Sequence, residues 1–138
     1  MDEIAAAADV LSIGTNDLTA DVLGVDRFAP GDVATHDPRV LAQIARVGET
    51  ARGHGRVLEV CGEAASDPRM IPLLVGFGVT ELSVGAARVS ATHAAVRGLD
   101  AAAAVKLARA ALNASDAADV ERLLVEAGHE LGELSDGA

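Results

Sequence analysis

Three short apolar runs rich in β-branched residues punctuate the chain, each ending in glycine: Asp9-Val10-Leu11-Ser12-Ile13-Gly14, Arg56-Val57-Leu58-Glu59-Val60-Cys61-Gly62 and Thr80-Glu81-Leu82-Ser83-Val84-Gly85. Runs of this length and make-up predict buried strands that turn sharply at their C-terminal ends. Between and after them the apolar spacing becomes helical. The clearest helix opens with Asp37 as N-cap and Pro38 as first residue, carries Val40, Leu41, Ile44 and Val47 on one stripe, and stops at Gly53 or Gly55. Asp67 and Pro68 open a second. Pro72 lies inside it and would remove a backbone bond, so this helix is short or begins a turn late, and Gly76 and Gly78 close it. Further helices are expected around Val89 to Val96, from Asp100 through Ala111, and from about Asp116 to Ala127, hinged near Asn113 to Ser115. Leu107, Leu112, Val120, Leu123 and Leu124 supply their apolar faces.

Strands alternating with helices imply an α/β fold with a parallel sheet. Parallel strands are normally covered on both faces, and three of them alone leave open edges and half a core. The pattern therefore reads as a segment of something larger. A β/α barrel takes about 250 residues, and the 138 present would hold part of one. One unit is expected over 1–132, with 133–138 as a frayed tail.

Composition narrows the picture. Half the residues are hydrophobic, and Phe28 and Phe77 are the only aromatics, so a core must interlock through small aliphatic side chains. Eleven basic against 21 acidic residues give a formal net charge of -10. Such a chain repels phosphate backbones, so no nucleic-acid partner is expected, and any anionic ligand must be held by a few local donors. No apolar run is long enough to span a membrane, and the N-terminus lacks the basic flank and unbroken apolar core of a signal peptide, so the expected location is the cytoplasm, without membrane attachment. The single cysteine, Cys61, cannot form an internal disulfide. It is either a small buried hydrophobe or a thiol with a task.

In α/β folds active groups gather at the C-terminal ends of strands. Here the first end reads Ser12-Ile13-Gly14-Thr15-Asn16-Asp17-Leu18-Thr19, then Val25-Asp26-Arg27. The second reads Cys61-Gly62-Glu63-Ala64-Ala65-Ser66-Asp67-Pro68. Taken singly, a glycine turn followed by Asn and Asp is an ordinary loop, and a cysteine at a strand end is an ordinary buried residue.

Together with Leu73-Leu74-Val75-Gly76-Phe77-Gly78-Val79-Thr80-Glu81-Leu82-Ser83-Val84, these strings resemble the C-terminal end of the phosphoenolpyruvate-utilising barrel, over nearly the whole chain. That family includes enzyme I of the sugar phosphotransferase system, pyruvate phosphate dikinase and phosphoenolpyruvate synthase. Thr15 and Cys61-Gly62-Glu63 are more similar to enzyme I or the dikinase than to the synthase, and the helical tail from Asp100 to Ala127 is similar to the end of enzyme I. The resemblance implies that the chain is the last three strand-helix units of a (β/α)8 TIM barrel, followed by C-terminal helices. It implies that Asp17 is a ligand of Mg²⁺, an ion that prefers hard oxygen donors, and that Asn16 and Arg27 hold the substrate phosphate. Gly62 would allow backbone to approach the ligand, as would Gly14. Cys61 would be the acid that protonates the enolate carbon as pyruvate forms. Glu63 is assigned a supporting role.

The reaction implied is phosphoryl transfer from phosphoenolpyruvate to a histidine, and onward to a histidine phosphocarrier protein, in a homodimer. A second metal ligand, further arginines and the histidine domain would come from upstream, so the isolated chain is expected not to turn over. Where the family usually has Gln and an aromatic after Asp17-Leu18-Thr19, this chain has Ala20 and Asp21. Membership of the dikinase or synthase branch is one alternative. A non-catalytic dimerisation or interaction module is another. Ala91-Thr92-His93-Ala94-Ala95 is read as a helix's exposed first turn rather than as a phosphohistidine motif. His36, His54 and His129 are read as loop or helix-end residues, and Glu121, Glu126, Glu130 and Glu133 as a solvated face.

Overall fold

The computed structural model describes residues 1–28 and 33–136, with side chains through Gly128. The β-branched runs become three parallel strands, β1 (Val10–Gly14), β2 (Val57–Cys61) and β3 (Glu81–Leu82), hydrogen-bonded in the order β1-β2-β3. Val10 pairs with Val57, Gly14 with Cys61, and Glu59 with Glu81. The third strand is far shorter than its apolar run. Beyond it the pairing survives only as Ser83 N–H donating to Val60 O at 2.9 Å.

The helices are α1 (Asp2–Ala7), α2 (Thr15–Leu23), α3 (Pro38–Gly53), α4 (Ile71–Gly76), α5 (Val89–Arg97), α6 (Ala101–Leu112) and α7 (Ala117–Asp136). Asp37 and Asp100 cap α3 and α6 as expected, accepting from the backbone N–H of Arg39 and Ala103. Two Asp-Pro-Arg turns share one geometry: Asp37 and Asp67 each accept from the backbone N–H two residues on at 2.9 Å, and each binds that residue's guanidinium. Only the first runs directly into a helix. Pro72, tolerated in a first turn but not later, delays α4 to Ile71.

Two helices depart from expectation. Thr15 to Thr19, which the turn-forming residues predict to be a loop, is the first part of α2. The N-terminal α1 has no counterpart among the predicted helices. The last helix continues past Ala127 to Asp136; the side chains of His129, Glu130 and Glu133, and of the whole segment 133–138 expected to fray, lie outside the described residues. Among the described residues no helix is long and apolar enough to cross a membrane.

Among the described residues the sheet is covered on one face only. Leu11, Ile13, Leu58 and Val60 are buried in one cluster with Val40, Leu41 and Ile44 of α3 and Leu73 and Leu74 of α4. The alternate residues face away: Val10, Ser12 and Gly14 are exposed, and Val57, Glu59 and Cys61 are half-buried. The strands are thus not the doubly buried ones their apolar content suggested, since a parallel sheet with both faces covered alternates little. Behind α3 and α4, Gly76 of α4 lies so close to α6 that a methyl there would fall 2.6 Å from Ala108 Cβ, a contact that only small residues permit.

Asp37→Ala is expected to cost about 1 kcal/mol at neutral pH through loss of the α3 cap. The Arg39 guanidinium, with help from the Arg39 N–H, holds the Asp37 carboxyl below its ordinary value, against the opposing effect of burial. A lowered native pKa stabilises above the unfolded value of 3.8 and ceases to do so as pH falls through the native value. Thermal melts should therefore show the gap between wild type and variant narrowing below that pH.

Candidate functional site

The register Gly14 to Cys61 sets the C-terminal ends of β1 and β2 side by side. From Gly14 the chain enters α2 directly, so Asn16 and Asp17 stand in that helix's first turn. From Cys61 it passes through Gly62, whose φ is 97°, into a tight turn over Glu63–Ser66. Three bonds tie these ends together. Thr15, fully buried, donates its hydroxyl to Cys61 O at 3.0 Å. Glu63 N–H donates to Asn16 Oδ1 at 3.2 Å. The Cys61 thiol points at Ile13 O, 3.6 Å away.

Arg27, ten residues after Asp17, folds back and pairs with its carboxylate. The Arg27 guanidinium also lies 5.1 Å from the centre of the Phe28 ring. Both partners of the pair are exposed, Arg27 by 43% and Asp17 by 64%. The contact therefore adds little to stability and separates at small cost.

Beside this rim opens a cleft of about 780 Å³, lined among others by Asn16, Arg27, His36, Glu63, Arg69 and Arg88. Its far wall carries an ionic network. Glu121 of α7 meets His36 Nε2 at 3.3 Å and Arg69 Nη1 at 3.0 Å, while Arg69 Nη2 binds Asp67 at 3.1 Å. The bonds from Asp67 raise the already high pKa of Arg69, which stays charged.

Residues 1–101 match the family of PEP-utilising enzymes, in its PEP-binding domain. The chain belongs to that family. Similar proteins include the multiphosphoryl transfer protein of Xanthomonas campestris pv. campestris, 42% identical over 125 residues, which cover 88% of this chain and 15% of that protein. Multiphosphoryl transfer protein 1 of Escherichia coli K12 is 34% identical over 90% of this chain and 15% of its own length. The phosphoenolpyruvate-protein phosphotransferase of Listeria monocytogenes is 33% identical over 89% of this chain and 22% of its own. The chain thus spans only 15–22% of the length of these relatives.

Of the residues singled out from the sequence, Asn16, Asp17, Arg27, Cys61 and Gly62 all lie at one end of the sheet. They divide between two surfaces. Asn16 and Arg27 line the cleft, whereas Asp17, Cys61 and Gly62 are not part of its lining. Cys61 shares the uncovered sheet face with Gly14 and Glu59. Gly62 turns its α-carbon toward Thr15 and Asn16.

Two readings of bland residues are corrected. Glu121 is a bridging residue rather than part of a solvated face, and His36 is its partner rather than an idle loop residue. His54, the C-cap of α3, does sit at a helix end, 3.2 Å from Asp2. His93 is exposed, but it lies in the middle of α5 and not in its first turn. The cleft residues Arg69, Arg88 and Glu121 were missed. For Arg69 a signal existed in the repeated Asp-Pro-Arg string; Arg88 and Glu121 carry none.

Proposed function

We propose that this chain is the phosphoenolpyruvate-binding part of a phosphoenolpyruvate-protein phosphotransferase of the enzyme I kind, forming three strand-helix units of a (β/α)8 barrel. The observation that carries the reading is the pairing of Gly14 with Cys61, which sets Asn16, Asp17 and Cys61 at one end of the sheet, where Arg27 joins them by pairing with Asp17. The sequential order β1-β2-β3 and the bare face opposite α3 and α4 favour a barrel wall, because in a barrel that face looks inward. The relatives' names favour the enzyme I branch over dikinase or synthase.

In this reading the Arg27 fork and the Asn16 amide hold phosphoryl oxygens. Arg27 would release Asp17 to do so, and the freed Asp17 carboxylate would be the group to hold Mg²⁺. Among the described residues no group of three or more His, Cys, Asp and Glu could enclose an ion. A single carboxylate nonetheless suits Mg²⁺, which keeps several waters and takes substrate oxygens. The ion, when bound, supplies charge neutralisation for those oxygens. The phosphorus–oxygen bond breaks as the phosphoryl group passes to a histidine of another domain, and the enolate left behind takes a proton at C3 from the Cys61 thiol. The thiolate recovers its proton from solvent. Pyruvate leaves, and the phosphohistidine serves a phosphocarrier protein in the cytoplasm.

Calorimetric titration with phosphoenolpyruvate tests this on the chain itself. Mg²⁺ should tighten binding, Asp17→Asn should remove that gain, and Arg27→Gln should weaken binding about tenfold. Cys61→Ala should leave affinity unchanged. Binding indifferent to both Mg²⁺ and Arg27→Gln would sink the reading. A second reading, an interaction module, is favoured by the bare sheet face and the open β1 edge. Light scattering decides whether copies associate in a homodimer through them.

A further inference from the structure

We propose that Arg88 is a further substrate contact, a guanidinium supplied by the third strand end to the phosphorylated acid held by Asn16 and Arg27. The inference rests on the phosphoenolpyruvate reading and deepens it. Arg88 lines the same cleft as Asn16 and Arg27. The other two arginines there are spent on carboxylates, Arg27 on Asp17 and Arg69 on Asp67 and Glu121. Among the described residues Arg88 has neither an ion pair nor a side-chain hydrogen bond, and it is exposed.

Of the three arginines lining the cleft, Arg88 alone is left without a carboxylate among the described residues. The acids lining that cleft are Glu63, Asp67 and Glu121, and the last two already serve Arg69 and His36. The backbone beneath Arg88 is held: its N–H donates to Gly85 O at 2.8 Å, in the turn Ala86–Arg88 that runs straight into α5. A fixed α-carbon with a free planar fork is well suited to two-pronged binding of a carboxylate or phosphoryl group. With Arg88 included, each of the three parallel strand ends contributes to the cleft: Asn16 and Arg27 after β1, Glu63 after β2 and Arg88 after β3.

The test titrates the isotope-labelled chain with phosphoenolpyruvate, inorganic phosphate and oxalate in the presence of Mg²⁺, following amide shifts in wild type, Arg88→Gln, Arg88→Lys and Arg27→Gln. Arg88→Gln should weaken phosphoenolpyruvate about tenfold without altering the melting temperature, and Arg88→Lys should recover part of the loss. A parallel loss with inorganic phosphate assigns Arg88 to the phosphoryl end. A loss with oxalate assigns it to the carboxylate end. If Arg27→Gln weakens phosphoenolpyruvate while Arg88→Gln does not, the Arg88 contact is overturned and the substrate reading stands. If wild type does not bind phosphoenolpyruvate, both fall.

Discussion

Gly62→Ala should destabilise the chain by roughly 2–4 kcal/mol and loosen the phosphoenolpyruvate site in the same step. Gly62 has φ 97° and ψ -173°, a region that side-chain-bearing residues scarcely enter. That strain alone costs about 1–3 kcal/mol. The added methyl would also lie 2.6 Å from Thr15 Oγ1 and 3.0 Å from Asn16 Oδ1. Thr15 cannot retreat cheaply, because it is fully buried and donates to Cys61 O. Asn16 would yield first, releasing Glu63 N–H and moving an amide proposed to hold phosphate. Urea denaturation reads the stability loss, and titration with phosphoenolpyruvate reads the loosened site. A variant as stable as wild type would show that the two loops do not interlock as described.

The same contact explains what could and could not be read from the sequence. The strands and α3 were legible because β-branched runs ended in glycine and because Asp37-Pro38 begins a helix by local chemistry alone. The helix α2 was not, since Thr15, Asn16 and Asp17 are weak helix formers that favour turns. They are helical here because bonds to distant residues engage them: Thr15 to Cys61, and Asn16 to Glu63, 47 residues away.

The N-terminal α1 was invisible for a related reason. It buries only Ala5, has no apolar stripe, and is tied down by Arg56, whose Nε donates to Ala5 O at 2.9 Å from 51 residues away. The candidate site divides along the same line. Asn16, Asp17, Arg27, Cys61 and Gly62 could be picked out because they sit in short strings at strand ends. The wall formed by His36, Arg69 and Glu121 could not, because three remote segments build it and no local pattern joins Arg69 to a residue 52 positions on. The bare sheet face was hidden too. Val10 and Val57 read as core by type, and only their alternation with buried neighbours in the folded sheet exposes the difference.

Two alanine substitutions in α3, five residues apart, should shift stability in opposite directions. Gly53→Ala places a methyl in open space at the end of the helix and removes chain entropy from the unfolded state, so it should stabilise by about 0.5 kcal/mol. Gly48→Ala receives the same entropic benefit but has nowhere to put the methyl. Gly48 is buried where α3 crosses the end of α4, and a Cβ there would collide with the carbonyl oxygen of Phe77 and sit 3.8 Å from Leu58 Cδ2. A backbone oxygen cannot rotate away as a side chain can. Relief requires α3 to lift from the sheet, parting Val40, Leu41 and Ile44 from Leu58 and Val60, all fully buried. Overpacking of this kind costs about 1–3 kcal/mol or more, against which the entropic benefit of about 0.5 kcal/mol is a partial offset. Paired urea melts of the two variants check this. A destabilised Gly48→Ala beside a stabilised Gly53→Ala means that the close crossing of α3 over Phe77 holds the helix layer to the sheet. Equal stability in both would mean that the helix stands further from the sheet than the packing of Leu58 and Phe77 requires.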